Sequence, residues 1–470
     1  MSDPLWTAKQ AMAATGGMLV GDTDWTCQGV SIDTRSIIPG DLFVALEDVR
    51  DGHEFVPDAM ARGASACLVS RSDCGPGPSL QVKDSLQALR ALAVAARERS
   101  NAIRIAVTGS VGKTSVKEAL ATVLRANGSA HWSVKSYNNH WGVPLTLARM
   151  PQHTERAVFE LGMNHAGEIR DLASLVRPHV ALITRIAPAH LEHLGTIEAI
   201  ADAKSEIYEG LEPDGIAIYP SDDPLAPRLL AHAEKSVASF LLDFGTQKGA
   251  AICVEEFETG IGGSHGMVNV MGARLRFRLS ATGDHWAWNV GAIFAASAAA
   301  GLDVKDVVEA LSEVDAERGR GQAINVTLPK GGSFTLLDDA YNANPVSMAA
   351  AITALGSARP DAGGRRIAVL GDMLELGPDE MRLHADLAGP VKEAGIDAVY
   401  TCGTLMRSLH DALPKSVQAG YALNASEGLK SLVSEIKPGD VVLVKGSNAS
   451  GLHKIASVLA DGSAFDLTEA

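Results

Sequence analysis

Residues 108–115, TGSVGKTS, place Gly112, Lys113 and Thr114 in the order of a phosphate-binding loop. The full signature, G-x-x-x-x-G-K-[ST], has a leading glycine. Here Val107 stands in that place, and Gly109 is the loop's only other glycine. Such a loop serves nucleotide chemistry. Backbone N–H groups cradle the phosphates, Lys113 reaches the outer ones and the Thr114 hydroxyl ligates Mg2+. The expected nucleotide contacts are therefore Gly109, Ser110, Val111, Gly112, Lys113, Thr114 and Ser115.

Further along, Glu160 closes the strand-like run AVFELG, where a carboxylate can hold Mg2+ directly or through water. A helix cap or turn carboxylate fits the same residues. His190, in TRIAPAHLEHLG, is either a metal ligand or a structural loop histidine, and His193 competes with it. Lys204 is more pointed. In TIEAIADAKSEIYEGL, the residues Ile197, Ile200, Ala201, Ile207, Tyr208 and Leu211 share one helical stripe, and Lys204 sits in its middle. A buried lysine snorkels, pairs with an acid or gives up its charge. Two readings stand: an ion pair with Glu160, or a neutral amine that adds CO2 to become a carbamate, an anionic oxygen ligand suited to Mg2+.

The last third carries four more groups. Arg320, in GRG, is a candidate to stabilise a moving phosphoryl group or a plain linker arginine. Asp339, in LLDDAYNANP, either accepts from a ribose hydroxyl or is a turn acid. Asn342 and Asn344 offer amide donors and acceptors, although NANP is also ordinary turn chemistry. Lys445, in LVKGSNASG, meets an anionic substrate or lies in solvent.

These residues need a scaffold of strands ending in loops. IRIAV (103–107) suits a buried strand, and SVKEALATVLRANG a helix with Gly128 as its stop. GDLFVAL, ASACLVS, RAVFELG, VALITRIA and GIAIYP read as strands, as do FTLLDDA, RIAVLGD, AVYTCG and DVVLVKG. Helical stretches alternate with them, and a β-rich insertion is expected at roughly 237–280. The motifs sit just past strand ends, the carboxyl edge where open α/β sheets bind ligands. The expectation is an α/β protein of three domains: residues 1–100, 101–316 and 317–470. The first is a small N-terminal α/β domain, the second a P-loop ATPase domain with a mainly parallel sheet, and the third a Rossmann-like domain.

The whole chain sets bounds. At 470 residues it is 46% hydrophobic, enough for packed α/β cores, and its net charge of −15 without a basic run argues against nucleic acid. Five cysteines without a C-x-x-C pair read as reduced thiols of a cytoplasmic protein. MSDPLWTAKQ shows no signal peptide, and VGAIFAASAAAGL is too short to span a bilayer and reads as a buried helix. No N-K-x-D element of a guanine-specific switch is present.

Taken in order, DTRSIIPGDLFVAL, TGSVGKTSVKE, NNHWGVPLTL, ELGMNHAGEI, APAHLEHLG, DAKSEIY, LLDDAYNANPVSM, GDMLELG and LVKGS resemble the Mur ligases of peptidoglycan synthesis over nearly the full chain. That family's loop is a TG-x-x-GKT form without the leading glycine. The resemblance implies an ADP-forming amide ligase that uses ATP and Mg2+. DDAYNANP and GDMLELG, with the D-N-P-R element absent, favour the branch that adds a dipeptide over those adding diaminopimelate, lysine or glutamate. Its substrates would be UDP-N-acetylmuramoyl-tripeptide and D-alanyl-D-alanine, handled by a cytoplasmic monomer. The resemblance further implies that Thr34, Arg35, Asn138 and Asn139 hold the UDP-sugar, and that Lys113, Thr114, Glu160 and His190 surround ATP and Mg2+. It makes Lys204 the carbamate. It gives Asn289 an adenine contact, Arg320 the γ-phosphate and Asp339 the ribose, and it places the dipeptide near Asn342, Asn344 and Lys445. The chain departs from the family pattern at Lys135 and Ser136 (usually Gly-Asn), at Arg185 and Trp286 (usually asparagine) and at Asn448 (usually arginine).

Overall fold

The computed structural model describes residues 3–134, 136–188, 191–260, 263–315, 318–361 and 363–465. Three large sheets organise them, beside a two-stranded pairing of Trp6–Thr7 with Thr26–Cys27. The N-terminal sheet has five strands, in the order Met18–Val20, Ser79–Gln81, Ala66–Val69, Asp41–Val44 and Gly29–Ser31, and only the first pairing is antiparallel. The helix Ser85–Glu98, capped by Asp84, buries Leu89, Leu92 and Ala96 in that domain's core and leads toward the phosphate loop.

The central sheet has nine strands. Its strand Ile103–Thr108, which leads into the phosphate loop, lies between Arg156–Glu160 and Val180–Ile183, parallel to both. Successive side chains of a strand face opposite sides of the sheet. Ile105 and Val107 accordingly pack into one apolar cluster with the helices Lys113–Ala126 and Trp286–Ala299. Ala106 points into the other, with Glu168–Val176 and Ile197–Ser205. Covered on both faces, these strands are near-continuous apolar runs. The VGAIFAASAAAGL segment lies within Trp286–Ala299 and just beyond, as the buried helix its composition predicts.

The β-rich stretch near 237–280 is not a separate insertion. Phe240–Gly245 and Ile252–Gly260 extend the parallel array, and Gly263–Val270 and Ala273–Leu279 add an antiparallel edge to the same sheet. Alternating burial identifies these strands from sequence. Which sheet they join depends on pairing with residues that local patterning does not specify.

The third sheet runs Gln322–Thr327, Ser333–Asp339, Val441–Lys445, Arg366–Gly371, Ala398–Cys402 and Gln418–Ala422, parallel except at its first pair. The expected boundary at 316/317 falls outside the described residues. No described helix is long and apolar enough to cross a membrane.

Candidate active site

The carboxyl ends of the central strands and of the third sheet open on one cleft of about 1060 Å³, at the upper end of small-molecule sites. The phosphate loop forms one wall. Gly109 has φ +148° and Gly112 φ +85°, backbone regions that favour glycine. A Cβ on Gly109 would lie 1.9 Å from Thr184 Oγ1, and one on Gly112 would lie 2.5 Å from Asn289 Oδ1. Val107 is a fully buried residue of the preceding strand, so the turn begins two residues later than in the full signature. Gly109 supplies the flexibility there.

The helix Lys113–Ala126 starts directly behind Gly112 with no side-chain cap. Its unpaid N–H groups therefore form an anion-binding end. Lys113 Nζ donates to the Gly109 carbonyl at 2.6 Å and lies across the loop. Burial lowers its pKa, the Glu160 charge raises it and Arg320 lowers it further. Ser110, Val111, Gly112, Lys113, Thr114 and Ser115 all line the cleft; Gly109 shapes the loop from behind.

Glu160 is 1% exposed and caps no helix. Thr114 Oγ1 donates to its Oε2 and Asn138 Nδ2 to its Oε1, each at 2.8 Å. Thr114 and Glu160 thus bring hard oxygen donors side by side at the phosphate end, a set that suits Mg2+. Asn138 orients the carboxylate, and the Asn139 side chain accepts from Gly142 N at 2.9 Å; both asparagines line the cleft.

Lys204 also faces this cleft, near the end of the helix Ile197–Ser205. It is 1% exposed, on the predicted stripe with Ile200, Ala201, Ile207, Tyr208 and Leu211 buried around it. Of the two readings, the ion pair with Glu160 is not formed: the two Glu160 oxygens accept from Thr114 and Asn138, and among the described residues Lys204 has no ion-pair partner. Burial, reinforced by the Lys113 charge and offset in part by Glu160, holds its pKa well below the ordinary lysine value. Burial thus favours the neutral amine over the ammonium. His190 lies outside the described residues, as do Ala189 and Lys135.

Across the cleft stand Arg320, Asp339, Asn342, Asn344 and Lys445. The Arg320 guanidinium lies 4.2 Å from the centre of the Tyr341 ring, so it is a placed group rather than a linker arginine. Lys445 is 3% exposed and not in solvent. Its Nζ pairs with Asp339 Oδ2 at 2.8 Å and donates to the Asn342 carbonyl at 3.0 Å. The parallel register that sets Asp339 opposite Lys445 brings them together. Asn344 caps the helix Pro345–Ser357 in a capping box with Ser347, and the Asn342 side chain accepts from Ala343 N, so both amides do local turn work.

Thr34 and Arg35 do not line this cleft. Arg35 is exposed and paired with Asp33 at 2.6 Å; Thr34 is buried and hydrogen-bonded to Asp58, whose carboxyl pKa it lowers. Asn448 also lies away from the lining. Sequence reasoning missed Tyr341, His165 and Trp288, which all line the cleft. His165 sits within ELGMNHAGEI and Tyr341 within LLDDAYNANP, so a ring beside a polar turn was the available signal; Trp288, two residues past Trp286, lies outside the quoted motifs.

Residues 107–299 match the family description Mur ligase middle domain, and residues 319–448 match Mur ligase, glutamate ligase domain. This chain belongs to the Mur ligase family. A relative from Escherichia coli (strain K12), named UDP-N-acetylmuramoyl-tripeptide–D-alanyl-D-alanine ligase, is 35% identical over 96% of this chain and 98% of its own. Crystal structure I of MurF from Acinetobacter baumannii aligns with TM-score 0.84 at 30% identity, over 98% of this chain and 99% of that one. MurF ligase from Thermotoga maritima in complex with ADP aligns with TM-score 0.74 at 25% identity, over 92% and 97%. The three-domain Mur ligase fold therefore holds along the whole chain.

Proposed function

We propose that this Mur ligase joins D-alanyl-D-alanine to UDP-N-acetylmuramoyl-tripeptide, forming an amide and releasing ADP and phosphate. The observation that carries the reading is the single cleft in which a phosphate loop, a buried Thr114–Glu160 oxygen pair and the Arg320, Asp339 and Lys445 groups of the third domain converge. The near full-length likeness to ligases named for this reaction supports it.

A carboxylate does not accept an amine at neutral pH, because its leaving group is poor. ATP converts the acceptor carboxylate to an acyl phosphate. The dipeptide amine then attacks the acyl carbon and a tetrahedral intermediate forms; the nitrogen releases a proton to solvent as the C–O bond breaks and phosphate leaves with the bonding pair. The chain's residues position the parts. Loop N–H groups and Lys113 hold the phosphates, Arg320 meets negative charge on the moving phosphoryl, and the walls of two domains exclude water from the acyl phosphate. Mg2+, held by Thr114 and Glu160, neutralises phosphate charge when bound. Lys204, whose burial favours the neutral amine, would add CO2 and lose a proton to give a carbamate, whose oxygens would join Thr114 and Glu160 in holding the ion.

The five free cysteines suit a reducing cytoplasm. Thr34 and Arg35 are assigned to the UDP-sugar, on the N-terminal domain. Incubating the protein with ATP, Mg2+ and a panel of UDP-muramoyl peptides and candidate amines, read by product mass, tests the assignment. The D-alanyl-D-alanine adduct of the tripeptide is expected. Efficient addition of diaminopimelate or glutamate, or ATP turnover without an amide product, overturns it.

A further inference from the structure

We propose that Arg185 and Trp288 form the platform on which the nucleobase of ATP stacks, making them nucleobase-binding residues at the base end of the cleft. The proposal rests on the assignment of that cleft to ATP. Its starting point is a loss. Trp286, where an asparagine is usual in the family, is 2% exposed and packed in the apolar cluster on one face of the central sheet. It does not line the cleft, so the amide that position would offer a base is gone.

What lines the cleft beside the phosphate loop instead is Arg185, Trp288 and Asn289. The Arg185 guanidinium lies 4.3 Å from the centre of the Trp288 ring, and both side chains are partly exposed. A guanidinium plane and an indole are the two side-chain surfaces best suited to stacking on a nucleobase. Both are built in place. Arg185 is fixed through its main chain, whose carbonyl accepts from Ser110 N at 2.7 Å and which bridges Val111. The Trp288 indole donates to Asp222 Oδ1 at 2.9 Å, and the other Asp222 oxygen accepts from Thr246 N and Oγ1 at 2.9 and 2.8 Å. A surface held this way loses little entropy when a base lands on it.

Asn289 is a second, independent pointer to a ligand. It is 5% exposed, and its Nδ2 is buried without a hydrogen-bond partner, close to the loop glycine Gly112. A purine ring nitrogen is an acceptor that would satisfy it. The platform therefore supplies area, and Asn289 supplies direction.

Stacking ignores which base is present, whereas phosphate binding ignores the base altogether. Calorimetric titration of the full chain with Mg2+ and ADP, GDP or tripolyphosphate separates the two. Trp288→Ala and Arg185→Ala are each expected to weaken ADP and GDP roughly tenfold while changing tripolyphosphate less than about twofold. Trp288→Phe, which keeps an aromatic face, is expected to hold ADP within about threefold of the parent. Unchanged ADP affinity in both alanine variants overturns the proposal, and so does an equal loss with tripolyphosphate, which marks a distorted phosphate loop. If Trp288→Ala melts early, Arg185→Ala decides, because it keeps the main-chain bonds to the loop. A parent protein that binds tripolyphosphate but not ADP overturns the platform alone; one that binds neither overturns the ATP assignment itself.

Discussion

Replacing Gly109 with alanine is the sharpest perturbation of the phosphate loop. At φ +148° an L-residue is strained, at a cost of roughly 1–3 kcal/mol. The new Cβ would also fall 1.9 Å from Thr184 Oγ1, a buried hydroxyl that cannot swing away freely because it donates to the Val111 carbonyl at 2.6 Å. Displacing it leaves a buried polar group unpaired, for about 1–3 kcal/mol more. The central expectation is a total of about 4 kcal/mol, between two and three orders of magnitude at about 1.4 kcal/mol per tenfold. The cost falls on the loop, so it appears chiefly as lost Mg-ADP affinity by calorimetry, with the melting transition followed alongside. Gly109→Ala combined with Thr184→Ala makes room for the Cβ and should recover at least about tenfold of the loss, leaving the backbone strain. A single variant that binds ADP within threefold of the parent, with an unchanged melting temperature, refutes the steric account. A double variant no better than the single one refutes the role of Thr184.

Lys113→Ala should abolish ADP formation with the melting transition intact, since its Nζ bonds only loop carbonyls at 2.6 and 3.5 Å; near-normal turnover rules out the phosphate role. Glu160→Gln should lose activity that higher Mg2+ partly restores, as measured by Mg2+ titration of kcat, and indifference to Mg2+ counts against it as a ligand. For Lys204, the alanine variant should lose most activity and regain part with bicarbonate or short carboxylic acids, whereas Lys204→Arg should show no rescue; a fully active arginine variant would sink the carbamate. His131 gives a pH signature: burial, against a hydrogen bond to the Thr146 carbonyl and with help from Arg149, pushes its pKa down to about 4. Because the folded value lies below the unfolded 6.5, this stability is present above pH 6.5 and lost as pH falls toward 4, by at most about 3 kcal/mol. Denaturant melts of His131→Gln should show a shallower decline across that window, and identical pH profiles contradict the assignment.

The sequence alone determined the phosphate loop, because strand, turn and helix are specified by neighbours within a few residues. Ile103–Val107 alternates β-branched residues, the glycines stand where φ must be positive, and the following helix shows its own period. Short-range patterning likewise put Lys204 on an apolar stripe and so made it a buried amine. The partners of these groups were another matter. Lys204 forms no ion pair with Glu160, whose two oxygens accept instead from Thr114 and Asn138, so three separate stretches of chain meet at that carboxylate. Lys445 found Asp339 through parallel register across 106 residues, and Arg185 found Trp288 through a helix that returns to the phosphate loop. The strands of 240–279 became the edge of the central sheet for the same reason. Periodicity reports which face of an element is buried, but not which distant element covers it; only the closed packing of sheets and helices settles those pairings.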